Sequence, residues 1–135
     1  MKMREILFRG KTPGGKWVEG IYSPYNWDID LVRENKPQII ILSENKDNID
    51  GLWCDIIPET AGQYTGHTDK NGVKIFEGDI VRYGDTIHEV VFEQRNGTAY
   101  FGLVYSKSET LPFGHYQDLR QIEVIGNIYD NGYPF

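Results

Sequence analysis

The sequence predicts a mainly β protein, α+β overall: a small SH3-like β-barrel joined to a less regular, β-rich N-terminal subdomain. Three observations predict it. Turn dipeptides recur at Asn71-Gly72, Gly84-Asp85 and Asn96-Gly97, between short runs of β-branched and aromatic residues. No segment sustains a helical period over three turns. A late alternating run, residues 122–129, offers a returning strand to a short, bent meander, and closure of such a meander into a barrel removes exposed edges.

The elements follow in order. Arg4-Glu5-Ile6-Leu7-Phe8-Arg9 reads as a first strand with Ile6 and Phe8 on one face, and Trp17-Val18-Glu19-Gly20-Ile21-Tyr22 as its hairpin partner across a Pro/Gly loop. Ile39-Ile40-Ile41-Leu42 is short and β-branched, which favours a buried strand over a helix. Leu52-Trp53-Cys54-Asp55-Ile56-Ile57 is another strand, stopped by Pro58. From residue 63 the grammar becomes regular. Residues 64–105 read as a β-meander, with strands at 73–76, 79–83, 87–93 and 99–105. Gly102 inside the last of these suggests a bend or bulge. Residues 106–114 read as a connector. The expected division is residues 1–62 for the irregular subdomain and 63–135 for the barrel and its tail.

Composition narrows the function classes. At 135 residues the chain is one ordinary domain or two small subdomains, long enough to bury a core without a staple. Aromatics make up 13% of it, a payload large enough to offset chain entropy and exclude disorder. The net charge of −6 disfavours a free polyanion binder. The charge is uneven: residues 1–16 carry five bases against one acid, and residues 17–62 nine acids against three bases. The single cysteine, Cys54, excludes an intrachain disulfide and fits a reducing cytoplasm. The apolar run at 39–42 is far short of the roughly 20 residues of a membrane span. No apolar core of signal-peptide length follows Met1, so neither export nor a membrane partner is expected.

No catalytic constellation emerges. Gly62-Gln63-Tyr64-Thr65-Gly66 lacks the Gly-Lys-Ser/Thr of a phosphate-gripping loop. The histidines at 67, 88 and 115 sit at no metal-ligand spacing. Loops at one barrel end would gather His67, Asp69, His115 and Asp118 into a metal or acid–base set, but three independent histidines account for the pattern more simply. Cys54 lies between Trp53 and Asp55 in a strand, where the carboxylate opposes thiolate formation, so a buried, inert cysteine is expected. Glu77-Gly78-Asp79 reads as a turn that bends the chain, not as a catalytic carboxylate pair. Trp17, Tyr22, Tyr25 and Trp27 form the candidate aromatic binding surface. Arg4, Arg9 and Lys16 form the candidate nucleic-acid contact, helped by Trp17 and Tyr22.

Three ordered motifs carry a family resemblance. Met3-Arg4-Glu5-Ile6-Leu7-Phe8-Arg9 opens the chain. Gln63-Tyr64-Thr65-Gly66, Asp69-Lys70-Asn71-Gly72 and Ile75-Phe76-Glu77-Gly78-Asp79-Ile80-Val81 occupy its middle. Glu123-Val124-Ile125-Gly126-Asn127-Ile128-Tyr129-Asp130-Asn131 closes it. This set resembles the YopX protein family over essentially the full chain, with the match weakest over residues 10–60. The resemblance implies a small α+β portion joined to an SH3-like barrel. It also implies a bacteriophage or prophage protein of unassigned activity working in the bacterial cytoplasm, and it carries no catalytic residues. The expectation is therefore a non-enzymatic binding module without metal or cofactor. Its partner is a second copy of itself or a host or phage protein, and nucleic acid is the alternative.

Overall fold

The structure, a computed structural model, describes residues 5–24, 37–41, 52–95, 97–106, 109–113 and 119–131. The chain divides into two compact units, Met1–Gln63 and Tyr64–Phe135.

In the first unit, β1 (Phe8–Lys11) and β2 (Trp17–Ser23) form the expected hairpin, with Lys11 opposite Trp17 and Phe8 opposite Gly20. The loop closes through the Thr12 N–H donating to the Lys16 carbonyl, 2.8 Å, and the Gly15 N–H donating to the Thr12 carbonyl, 2.8 Å. The first strand is shorter than predicted and Ile6 is exposed, because pairing starts at Phe8, where β2 and the segment Gly62-Gln63 flank the chain together. β2 pairs in turn with β3 (Gln38–Ile41), and β3 with β4 (Leu52–Asp55), all antiparallel. Alternation along β2 sends Val18, Gly20 and Tyr22 one way and Glu19 and Ile21 the other. The inward set meets Ile39 and Ile56, with Phe8, Ile41, Cys54 and Ala61 packed around them. Past the predicted stop at Pro58, a 3₁₀ turn (Pro58–Thr60) buries Thr60, whose hydroxyl donates to the Ile57 carbonyl and accepts from the Lys11 N–H.

The second unit opens with the rest of β5 (Gly62–Thr68) paired to β6 (Lys74–Phe76) across the Asn71-Gly72 turn. Its main sheet has the order β10 (Glu109–Pro112), β9 (Thr98–Ser106), β8 (Thr86–Arg95), β7 (Asp79–Tyr83), β11 (Glu123–Asn127). Ile75, Val81, Val90, Leu103 and Ile122 form its fully buried core. Four expectations change here. First, β10 and β11 are the two edges of this sheet among the described residues, so it does not close into the predicted SH3-like barrel. The returning strand is also shorter than predicted. The Asn127 side-chain oxygen accepts from the N–H groups of Tyr129 and Asp130, 3.0 and 2.9 Å. That cap starts the helical turn α1 (Ile128–Asn131), so the strand predicted over 122–129 spans Glu123–Asn127. Second, the connector at 106–114 contains strand β10, with Pro112 tolerated because the strand is an edge. Third, the register shifts of this sheet lie in β9 opposite Glu109/Thr110 and in β11 between Val124 and Gly126, and another lies in β5 between Tyr64 and Thr68, none of them at Gly102. Gly102 serves close approach instead, since a Cβ there would meet Thr110 Cγ2 at 2.6 Å.

Fourth, the meander breaks at the Glu77-Gly78 corner. β6 pairs with β5, whereas β7 pairs with β8 and β11. Gly78 has φ +92°, its N–H donates to the Val90 carbonyl (2.8 Å), and its carbonyl accepts from the Ile128 N–H (2.9 Å). Asp79 is fully buried, and its carboxylate accepts from the Phe76 N–H at 2.7 Å. A Cβ on Gly78 would also lie 2.8 Å from Tyr129 Cε2. Gly78→Ala therefore carries two penalties, a strained φ of about 1–3 kcal/mol and a ring collision. In urea unfolding, a Tyr129→Ala background is expected to relieve the collision and leave the strain. Strict additivity of the two substitutions would refute that contact.

Candidate binding face

Residues directly opposite in an antiparallel pair point to the same face. Ile21 stands opposite Ile40, and Ile40 opposite Trp53, so these three make a continuous apolar row across β2, β3 and β4. It lies on the face opposite the Val18, Ile39 and Ile56 core. Ile21 is 49% and Trp53 48% exposed, high values for side chains of this size and the reason the row stands out. Two residues further along each strand, Ser23, Gln38 and Asp55 form the next row, where Gln38 Nε2 donates to Asp55 Oδ1 at 2.8 Å. In the other direction the same face becomes charged. Arg9 pairs with Glu19, Lys11 with Trp17, and the Arg9 guanidinium sits 4.7 Å over the Trp17 ring.

The residues proposed from sequence fall into different settings. Trp17 is half-buried, and Arg9 lies over its ring. Tyr22 turns inward and stacks on Phe8 with ring centroids 5.3 Å apart, so it is core packing. Lys16 is exposed in the hairpin loop, and its backbone N–H donates to Thr12 Oγ1. Tyr25, Trp27 and Arg4 lie outside the described residues. Ile21, Ile40 and Trp53 were legible only in part: the alternation of β2 places Ile21 outward, but the facing of β3 and β4 depends on pairings that the sequence does not display.

Of the acid–base set, His67 and Asp69 lie among the described residues. His67 is exposed, its ring 5.6 Å from that of Phe113, and His115 and Asp118 lie outside the described residues. Asp69 is buried, and its carboxylate is occupied by the backbone. Oδ1 accepts from the N–H groups of Asn71 (2.8 Å) and Val73 (2.9 Å), and Oδ2 from that of Val124 (2.9 Å). Burial pushes its pKa up, but the bonds from Val124, Val73 and Asn71 together with the Lys70 charge outweigh it, leaving the group below its ordinary value. His88 is buried too, with Nδ1 donating to the Val104 carbonyl at 3.0 Å and Nε2 2.7 Å from Thr86 Oγ1. Among the described residues, no group of three or more His, Cys, Asp or Glu is placed to hold a metal ion.

The chain is similar to a known family and to a solved structure. A profile of the family described as YopX protein matches residues 17–133. A solved structure, the crystal structure of protein EF1440 from Enterococcus faecalis, is 24% identical with a TM-score of 0.47, over 96% of each chain. No curated protein matches. Among the described residues, no helix is long and apolar enough to cross a membrane.

Proposed function

The chain belongs to the YopX family, and from that premise we propose a phage- or prophage-encoded accessory protein that acts by binding, without catalysis, in the cytoplasm of a bacterial host. The binding is self-association through the outer face of the N-terminal sheet. The observation that carries this reading is the half-exposed row of Ile21, Ile40 and Trp53, which runs to β4, the edge strand of that sheet among the described residues. Water around such a row is released when a second apolar surface covers it, at roughly 25 cal/mol per Å². An edge strand adds unpaired backbone groups that a second chain can use. The commitment of Asp69, Asp79 and His88 to structural hydrogen bonds supports a binding role over a reaction.

Light scattering coupled to size-exclusion chromatography tests it. The wild-type protein is expected to run as a multiple of the chain mass, and Trp53→Glu to shift it toward the monomer with an unchanged circular-dichroism spectrum. A wild-type protein that stays monomeric at high concentration would remove self-association. If it also retained no protein from a host lysate, the binding reading would go with it.

A further inference from the structure

We propose that β4 is the seam at which two copies of this chain join, each adding its β4 to the other's sheet, antiparallel, with Trp53 opposite the partner's Trp53. The inference rests on the self-association reading and fixes where the two copies meet.

The ladder with β3 sets the direction of the β4 backbone. The Ile56 N–H donates to the Pro37 carbonyl at 3.3 Å, so these two residues form a hydrogen-bonded pair. Along an antiparallel ladder such pairs alternate with non-bonded ones. The register Gln38↔Asp55, Ile39↔Cys54, Ile40↔Trp53 continues from that pair without a shift. Cys54 is therefore bonded to Ile39, and the backbone N–H and C=O groups of Trp53 and Asp55 point away from β3. No strand of the described residues lies on that side.

Sheet edges are ordinarily protected against strand addition by proline, lysine, bulges or short length. Three of the four edges among the described residues carry such devices. β10 contains Pro112 and meets a register shift, and β11 has a shift between Val124 and Gly126. β6 is three residues long, begins at Lys74 and faces a shift in β5. β4 has none of these: it reads Leu-Trp-Cys-Asp, keeps an unbroken register with β3, and carries a tryptophan that is half exposed.

The register of the seam follows from the side chains. Three two-fold arrangements pair the outward-pointing residues Trp53 and Asp55. Asp55 opposite the partner's Asp55 sets like charges side by side, which is destabilising. Asp55 opposite the partner's Trp53 interrupts the apolar row with a carboxylate. Trp53 opposite the partner's Trp53 makes a favourable aromatic cross-strand pair and joins the row of Ile21, Ile40 and Trp53 end to end with its counterpart. Each Trp53 N–H then donates to the carbonyl of the partner's Trp53. A two-fold seam uses both β4 edges, so assembly through it closes at two copies.

Two measurements test the seam. The first uses the single-cysteine variants Ile21→Cys, Ile40→Cys and Trp53→Cys in a Cys54→Ser background, oxidised and run on non-reducing gels. Across the seam the position-53 Cα atoms lie about 5.5 Å apart, within disulfide range. Position 40 is three strand spacings from its counterpart, roughly 14 Å, and position 21 five, roughly 24 Å. Covalent dimer is expected from Trp53→Cys alone, and a link at position 40 or 21 would overturn the seam. The second is amide hydrogen exchange of the wild-type chain, which decides even if Trp53→Cys no longer associates. The Trp53 amide is expected to slow at least about tenfold between dilute and concentrated protein, while that of Cys54, already bonded within the sheet, stays constant. An associated protein whose Trp53 amide exchanges as fast as in dilute solution overturns the seam and leaves self-association standing. A chain that stays monomeric by light scattering removes both.

Discussion

Asp69→Ala is expected to destabilise the protein by about 3–5 kcal/mol, because it strands three backbone donors that one carboxylate now satisfies. Each donor left without a partner in a buried setting costs about 1–3 kcal/mol, with some relief where water reaches the turn. Two of the donors, Asn71 and Val73, belong to the β5–β6 turn. The third, Val124, is 55 residues away in β11, so the substitution loosens a turn and an edge strand at once. Asp69→Asn should fall between the two. Its oxygen can still serve the turn, but its NH₂ would face the Val124 N–H, donor against donor.

The effect has a pH signature. The folded-state pKa of Asp69 lies below 3.8, because the three N–H bonds and Lys70 together outweigh the larger single effect of burial. An unfolded chain therefore binds more protons than a folded one in that range, and stability falls as pH drops. The contribution is fully present above about pH 4–5 and is lost as pH falls through the lowered folded value. Urea unfolding of wild type and Asp69→Ala should give a constant difference near neutrality that narrows in strong acid. A difference under about 1 kcal/mol at pH 7 would mean that water replaces the carboxylate without penalty.

Gly20→Ala is the second large effect. Gly20 sits in the middle of β2, and a Cβ there would collide with the carbonyl oxygen of Ile40 and come within 2.8 Å of its carbonyl carbon. Both atoms are backbone, so no side-chain rotation relieves the contact, and Ile39 Cγ2 closes the remaining space at 3.1 Å. The β2–β3 register that pairs Ile21 with Ile40 and Tyr22 with Ile39 must shift. The expected cost is about 3 kcal/mol or more, at or beyond the upper end of ordinary overpacking. Faster amide exchange in β2 and β3 should accompany it. Gly14→Ala is the matched control, since a Cβ there has Thr12 Oγ1 at 3.8 Å as its nearest neighbour. Equal stability of the two variants would contradict the packing described for β2.

Much of the fold was legible because its signals are local. Asn71-Gly72 and Gly84 announce their turns, and Gly72 and Gly84 indeed take positive φ. The strand read at 79–83 coincides with β7. What escaped depends on partners far away in sequence. Asp79 reads as a turn residue and Asp69 as a loop acid beside Asn71-Gly72, but nothing local reveals that Asp69 also reaches Val124. β10 hid behind a polar run and Pro112, which mark an edge strand as readily as a loop. The number and bend of the strands suggest closure, but closure depends on whether β10 and β11, the two edges, pair with each other, and no local signal reports that. The candidate face escaped for the same reason. Aromatics close in sequence need not share a face: Tyr22 turns into the core, while Trp53 reaches Ile21 only through two rungs of ladder pairing.

The middle and closing motifs of the sequence meet in space. The Ile128 N–H donates to the Gly78 carbonyl, Tyr129 covers Gly78, and Asp69 holds Val124. The middle and closing motifs are thus two halves of one joint, and what they encode is assembly instructions. The row proposed for binding, Ile21, Ile40 and Trp53, lies outside that joint, so a change there alters the outer face of the N-terminal sheet and leaves the joint untouched. On the proposed reading, relatives that serve different partners are expected to diverge at those three positions first.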